Sequence, residues 1–204
     1  RSSAASDVYK RQISLHMKKL FLSFVIALAT LTSASAQNVT VKEPEFAEET
    51  LLLTSDSEGI KLSRENGTVK TKAGASLYLT GIGKVKTRLT LKGTKSKSKG
   101  VGGSTTRLIV KAKDNNTDPN SFISIFKFEV TRKERRYQLA EAGTLSKTES
   151  NNLASVEYKA KKYGESSYYI VMENLTPGEY GIVIGDPNNE NTKNGMKVTT
   201  FTVE

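Results

Sequence analysis

The stretch SSYYIVMENLTPGEYGIVI, residues 166–184, decides the fold class of this chain. Its first half is rich in aromatic and β-branched residues, which favour a half-buried strand. Pro177 fixes φ for a turn and Gly178 accepts positive φ, so the chain can reverse direction there. Tyr180, Ile182 and Ile184 then share one face of a second strand. The stretch predicts a hairpin of two strands joined at Pro177-Gly178.

Alternation of apolar and polar residues continues in both directions from this stretch. It is clearest in residues 85–92, where every second residue from Val85 to Leu91 shares one face and cations occupy the other. This pattern indicates a strand with one face in the core and one basic face in water. In residues 122–131, Ile123 and Ile125 face away from Phe126 and Phe128, which indicates a strand covered on both faces.

Turn signals separate these segments. Asn66-Gly67 predicts a type I′ hairpin turn, and residues 132–136, Arg-Lys-Glu-Arg-Arg, predict a charged hairpin tip. Residues 76–80 predict a short strand because Leu77 and Leu79 alternate with polar neighbours. Residues 93–104 are dominated by Gly and Ser, and this composition predicts a loose, flexible loop.

About ten short strands follow one another after residue 37, and no segment there carries helical periodicity over twelve residues. Such a pattern predicts an all-β protein, an antiparallel sandwich or a closed antiparallel sheet, and we favour the sandwich. The predicted domain, residues 37–204, has a normal length for one domain. Leu175-x-Pro177-Gly178-x-Tyr180 resembles the turn and strand entry of immunoglobulin-like and prealbumin-like sandwiches, in which the Tyr packs at a sheet corner. The expected type is an immunoglobulin-like or jelly-roll-like β-sandwich.

The N-terminal residues predict export. Residues 17–36 combine Lys18 and Lys19, an apolar run over residues 20–31 and the small-residue site Ala34-Ser35-Ala36, which is the layout of a secretory signal peptide. Residues 1–16 precede Met17 and are interpreted as a non-native leader. The apolar run is shorter than the ~20 residues of a membrane span, so a spanning protein is not expected. The predicted location is periplasmic or extracellular.

Three segments carry a wider resemblance. Residues 162–168 (KYGESSY), 177–181 (PGEYG) and 125–129 (IFKFE) resemble segments of signal-bearing exported β-sandwich proteins of Gram-negative bacteria that have no assigned activity. The resemblance covers most of residues 37–204. It implies export and the sandwich fold, and it implies no catalytic activity.

Composition removes the common catalytic classes. The one His, His16, precedes the predicted domain, and the chain has no Cys, so Ser-His and Cys-His catalysis and His- or Cys-ligated zinc are excluded from residues 37–204. A pair of carboxylates remains as a possible hydrolase site. Asp114-x-Asn116-x-Asp118 begins like a calcium loop, but Pro119 and Ile125 replace the required Gly and Glu. We expect an Asx-rich turn there, no cofactor, no metal and no enzyme.

The basic residues carry the remaining functional signal. Residues 1–36 hold five cations and one acid, so +6 of the net charge of +10 belongs to residues 37–204. Neighbouring strands lie about 4.8 Å apart, and the two basic strands with the loop between them would form one continuous basic face. The residues of this predicted face are Lys84, Lys86, Arg88, Lys92, Lys95, Lys97, Lys99, Arg107 and Lys111.

Two hypotheses for function stay open. In the first, the basic face binds an anionic polysaccharide or the anionic surface of the cell envelope. In the second, the domain is structural and contacts another envelope protein, and its lysines only keep the sheet soluble and block edge pairing. Nucleic acid is not expected, because the protein is predicted to be exported and the basic strands lack interleaved aromatic residues.

Overall fold

The structure is a computed structural model that describes residues 39–80, 82–100, 104–143, 150–151, 155–185 and 195–204. The chain separates into two compact units, Arg1–Val39 and Thr40–Glu204. The predicted leader, residues 1–16, and the predicted signal peptide, residues 17–36, lie outside the described residues. The fold below is that of the second unit.

Antiparallel strands make up most of the described residues of this unit. In chain order they are β1 (Thr50–Leu53), β2 (Gly59–Lys61), β3 (Ser63–Ala73), β4 (Lys84–Lys92), β5 (Thr105–Lys111), β6 (Ile123–Lys127), β7 (Glu129–Val130), β8 (Glu134–Gly143), β9 (Ser150–Asn151), β10 (Lys159–Tyr163), β11 (Ser167–Glu173), β12 (Gly178–Ile184) and β13 (Met196–Val203). Within the described ranges one helix, α1 (Ala75–Thr80), and one 3-10 turn, Pro119–Ser121, complete the set. No helix in those ranges has both the length and the hydropathy to cross a bilayer.

The strands form two sheets. The first has the order β10-β11-β5-β1-β2, and the second has the order β6-β12-β13-β3-β4-β8-β7, with β9 paired to β8. The predicted all-β antiparallel sandwich is confirmed. Its assignment as immunoglobulin-like or jelly-roll-like stays a prediction.

The second sheet curls on itself. β6 and β7 lie at the two ends of the sheet order, where they pair with β12 and β8, yet only Phe128 separates them along the chain. One nearly continuous segment therefore joins the two ends. The curl encloses an interior of its own.

Two hydrophobic cores result. The intersheet core lies between the first sheet and one face of the second and includes Leu52, Leu108, Val110, Ile123, Ile125, Tyr168, Ile170, Met172, Tyr180, Ile182, Phe201 and Val203. The curl core fills the curled sheet and consists of Leu89, Leu91, Phe126, Phe128, Tyr137, Leu139, Val183, Met196 and Val198. Strand β6 contributes to both cores, so its predicted burial on two faces is confirmed.

Residues 166–184 contain two strands, as predicted, but they are not a hairpin. β11 pairs with β10 and β5 in the first sheet, and β12 pairs with β6 and β13 in the second. The connection between β11 and β12 therefore crosses from the first sheet to the second. Tyr168 and Tyr180 both face the core that lies between the two sheets. Asn174 takes φ 56° in this crossing, in the left-handed region that Asn tolerates.

The hairpin turn predicted at Asn66-Gly67 is also wrong. Both residues lie inside β3, which pairs with β13 up to Gly67 and with β4 from Thr68 onward. A Cβ at Gly67 would overlap Leu89 Cδ1. Gly67 therefore leaves room for Leu89 inside the curl and does not form a turn.

Residues 76–80 form helix α1 rather than a strand. The backbone amide of Leu77 donates to the Gly74 oxygen at 3.0 Å and starts the turn. Thr80 Oγ1 donates to the Ser76 oxygen at 2.8 Å and closes it. An alternation of two leucines over five residues does not distinguish a strand from one helical turn.

Candidate functional site

The nine cations predicted to form one face lie at three places in the fold. Lys84, Lys86 and Arg88 lie along β4, and Lys92 is its last residue. Lys95, Lys97 and Lys99 follow β4, whereas Arg107 and Lys111 lie on β5. β4 belongs to the second sheet and β5 to the first, so the predicted patch across neighbouring strands is wrong. Alternation reports which face a residue occupies and not which strand lies beside it.

Both cations on β5 are held by acids. Arg107 forms an ion pair with Asp56, and Lys111 Nζ lies 2.8 Å from Glu43 Oε2. The hydrogen bond that Arg107 donates to the Asp56 carboxylate raises the pKa of Arg107 above its ordinary value. These two positive charges are neutralised locally.

The segment after β4 is fixed to the second sheet as far as it is described, residues 93–100, although a loose loop was predicted. The Ser96 amide donates to Glu179 Oε2 at 2.6 Å, and the Ser63 amide donates to Ser98 Oγ at 2.7 Å. Gly100 donates through its amide to the Thr202 oxygen at 2.6 Å. Ser96 and Ser98 point inward, so the intervening lysines Lys95, Lys97 and Lys99 are exposed.

A basic groove of about 460 Å³ lies on the outer face of the second sheet. Strands β3, β4 and β8 form its floor, and the β3–β4 connection forms one end. We call this surface the basic groove. Its lining residues are Lys70, Lys72, Ala73, Gly74, Ser76, Gly83, Lys84, Lys86, Arg88, Thr90, Glu134 and Arg136.

Like charges oppose each other across the floor of the basic groove. In the β3–β4 pairing, Lys70 is directly opposite Arg88, and Lys72 is directly opposite Lys86. Side chains at opposite positions of an antiparallel pair lie about 5 Å apart at Cβ, and like charges there are destabilising. The register therefore concentrates four cations on two adjacent strands.

Two carboxylates offset part of this charge. Glu141 Oε1 lies 2.5 Å from Lys84 Nζ, and Glu141 Oε2 lies 3.0 Å from Lys86 Nζ. Glu134 forms an ion pair with Arg136. Hydrogen bonds from Lys84, Lys86 and Gln138 lower the pKa of Glu141 to about 2. Glu141 is ionised at neutral pH, and its negative charge offsets part of the charge of Lys84 and Lys86.

Three cations of the basic groove form no ion pair with a described residue. Within the described ranges, Lys70, Lys72 and Arg88 have no carboxylate at ion-pair distance. Lys70 and Lys72 are exposed, and Arg88 is half-buried on the groove floor. The groove therefore presents unneutralised positive charge to solvent.

Sequence reasoning found Lys84, Lys86 and Arg88 but missed three other cations of the groove. The turn predicted at Asn66-Gly67 shortens the strand that carries Lys70 and Lys72, so neither residue was expected on the basic face. The charged run 132–136 predicts that Arg136 lies in a hairpin tip, whereas it lies in β8 opposite Thr90. The alternation of Val69 with Lys70 and Lys72 was the signal that could have found the first two.

The Asp114 loop forms the predicted Asx turns. Asp114 Oδ1 accepts from the Asn116 amide at 2.9 Å, and Asp118 Oδ1 accepts from the Asn120 amide at 3.0 Å. The carboxylates of this loop thus satisfy its own backbone. Across the part of the chain that the structure describes, His, Cys, Asp and Glu form no group of three suited to a metal ion.

No protein-family model, curated protein or solved structure matched the chain. The candidate site therefore rests on the geometry and charge of the basic groove.

Proposed function

We propose that this protein is a non-catalytic binding module whose basic groove takes a surface of repeated anionic groups. Phosphate, sulfate or carboxylate groups of an anionic polysaccharide or of the cell envelope fit this description. The observation that carries the proposal is the cross-strand register of the groove, in which Lys70 opposes Arg88 and Lys72 opposes Lys86. Lysines that served only solubility would be better placed opposite acids, because opposed like charges cost stability.

The chemistry of the groove favours a partner with several charges. Four of its six cations are lysines, which act as point charges on flexible stems and impose little geometry on an anion. Exposed charges of this kind add modest binding energy each and act collectively. A polymer or a surface engages several of them at once, whereas a single small anion does not.

A pair of matched triple variants tests this proposal. Lys70→Gln, Lys72→Gln and Arg88→Gln together remove three positive charges from the groove, and Lys95→Gln, Lys97→Gln and Lys99→Gln remove three from the segment after β4. Binding to heparin is measured over a range of salt concentrations. The groove variant should bind more weakly and with a flatter salt dependence than the segment variant. Equal loss in both variants would mean that only net charge matters, and the groove would not be the site.

A structural role in contact with another envelope protein is the second candidate. Strand β2 favours it, because β2 lies at one edge of the first sheet in the part of the chain that the structure describes, and Ile60 is exposed there. The opposite edge, β10, carries Lys159, Lys161 and Lys162, and charged edges resist pairing. This candidate gains support if the groove variant binds heparin as the parent does while Ile60→Lys prevents association with an envelope fraction.

Export is part of the proposal, and the N-terminal signal pattern supports it. Ala34-Ser35-Ala36 fits signal peptidase, so the exported protein should begin at Gln37 and reside in the periplasm or outside the cell. N-terminal sequencing of exported material tests this. Material that still begins at Met17 and stays in the membrane fraction would contradict it.

A further inference from the structure

An apolar tip projects from the connection between β3 and β4. Helix α1 has no buried residue, and Tyr78 and Leu79 are 79% and 85% exposed. Ile82, just beyond the helix, is 51% exposed. We call Tyr78, Leu79 and Ile82 the apolar tip. Exposed apolar residues that cluster on one projection indicate an interaction site, whereas scattered ones do not.

The projection is held by specific contacts. The Gly74 amide donates to the Lys84 oxygen at 2.9 Å, which closes the neck of the connection. Gly83 packs against Leu77 so closely that a Cβ there would lie 2.8 Å from the Leu77 amide nitrogen. The tip residues therefore point outward from a formed turn, with Leu77 taking the half-buried inner position.

The apolar tip adjoins the basic groove. Ser76 of α1 and Gly83 line the end of the groove, and Lys72 and Lys84 flank the neck on β3 and β4. Apolar side chains thus sit at the end of a positively charged surface. Interfacial membrane-binding segments combine these two features, since apolar residues enter the acyl boundary and cations contact anionic headgroups.

We propose that the anionic partner is a lipid bilayer surface, which the apolar tip enters while Lys70, Lys72, Lys84 and Lys86 contact lipid phosphates. This inference rests on the proposed function of the basic groove and names its partner. Charge complementarity and the tip support it together. A soluble polysaccharide matches the groove but offers no apolar interior to Tyr78 and Leu79, whereas an anionic bilayer matches both.

A tryptophan reporter gives a direct test. The chain has no Trp, so Tyr78→Trp introduces a single indole at the tip. Vesicles containing phosphatidylglycerol should shift its emission to the blue and make it sensitive to brominated lipid. Phosphatidylcholine vesicles and heparin should do neither. Phe46→Trp is the matched control, because Phe46 is 61% exposed but precedes β1, in the other sheet. An indole emission that stays unchanged when the Tyr78→Trp variant meets anionic vesicles would overturn the inference.

A second experiment separates this inference from the proposed function. Tyr78→Ser, Leu79→Ser and Ile82→Ser together should weaken binding to phosphatidylglycerol vesicles about tenfold or more and leave heparin binding within about twofold. All variants carry the same residues 1–39, so the apolar run 20–31 contributes equally to each. If the triple serine variant binds phosphatidylglycerol vesicles as the parent does, the lipid inference is overturned, even if the groove variant no longer binds heparin. Heparin binding that survives in the groove variant overturns the proposed function itself.

Discussion

Arg135 Nη2 donates to Glu65 Oε2 at 2.7 Å, and this ion pair joins β8 to β3 across the inside of the curled sheet. Strand β4 lies between those two strands in the sheet, so the pair spans the interior. Arg135 has no exposed surface, and its guanidinium carbon lies 5.6 Å from the centre of the Phe128 ring. Glu179 Oε2 lies 3.9 Å from Arg135 Nη1. The buried guanidinium of Arg135 therefore lies within ion-pair distance of two carboxylates, those of Glu65 and Glu179.

Arg135→Ala should destabilise the protein by about 3–5 kcal/mol, because removing one partner leaves Glu65 and Glu179 without their buried cation. Arg136→Ala is the control, because Arg136 follows Arg135 in β8 but is half-exposed and forms an ion pair with Glu134. Its cost should stay within about 1 kcal/mol. The urea midpoints of the two variants, compared with that of the parent, measure both losses of stability. Equal midpoints for the two variants would show that the interior pair does not hold the curl together.

Tyr180→Ala should cost about 3–5 kcal/mol, by analogy with Phe→Ala in a core. Tyr180 is 2% exposed, its ring stacks on Phe201 with centroids 5.3 Å apart, and its hydroxyl donates to the Thr176 oxygen at 2.6 Å. Tyr78→Ala removes the same side chain from the apolar tip and should stay within about 0.5 kcal/mol. Comparable urea midpoints would contradict the assignment of Tyr180 to the intersheet core.

The sequence predicted local features well because strand alternation is a local property. Leu89 and Leu91 of β4 lie in the curl core, as their spacing indicates, and Tyr180 and Ile182 of β12 both lie in the intersheet core, as their shared face predicts. Strand partners were not predictable in this way. Pairing depends on contacts between distant residues, and no pattern within residues 166–184 reveals that its two strands enter different sheets.

Burial of charge was the other feature beyond sequence reasoning. Arg135 sits among Arg132, Lys133 and Glu134, and such a charged run is typical of a solvated turn. Its burial depends on Glu65, 70 residues earlier, and on the Gly93 oxygen, which accepts from Arg135 Nε at 3.2 Å. The loose loop predicted from composition is wrong for residues 93–100 for the same reason, since the acceptors that fix Ser96 and Gly100 lie on β12 and β13.

The attachment of residues 93–100 can be tested through Ser98. Its Oγ accepts from the Ser63 amide, so Ser98→Ala leaves a part-buried donor unpaired and should cost about 1–3 kcal/mol. Thr94→Ala, at an exposed neighbouring position, should stay within about 0.5 kcal/mol. Hydrogen exchange gives a second measurement, because the Ser63 and Gly100 amides should be protected in the parent. Fast exchange at both amides would show that residues 93–100 are not attached to the second sheet and form the loose loop that composition predicts.

Glu43 should make stability depend on pH in the acid range. Burial raises the pKa of Glu43, but hydrogen bonds from Lys111, Ser167 and the Glu165 amide outweigh it and lower the pKa below its ordinary value. A carboxyl group whose pKa is lower in the folded state contributes stability at neutral pH, and this contribution is lost as the pH falls through the folded-state pKa. The loss should therefore begin near the ordinary Glu pKa of about 4.3 and continue below it.

Glu43→Gln removes this titration and tests it. The free energy of unfolding, measured in urea at pH 7 and pH 3, should fall less in the variant than in the parent. Glu45→Gln, at an exposed position two residues away, should keep the pH dependence of the parent. Other carboxyl groups with lowered pKa, such as Glu49, are present in all three proteins and cancel in the comparison. A parent and a Glu43→Gln variant that lose equal stability between the two pH values would show that the Glu43–Lys111 contact does not stabilise the attachment of the segment before β1 to β5.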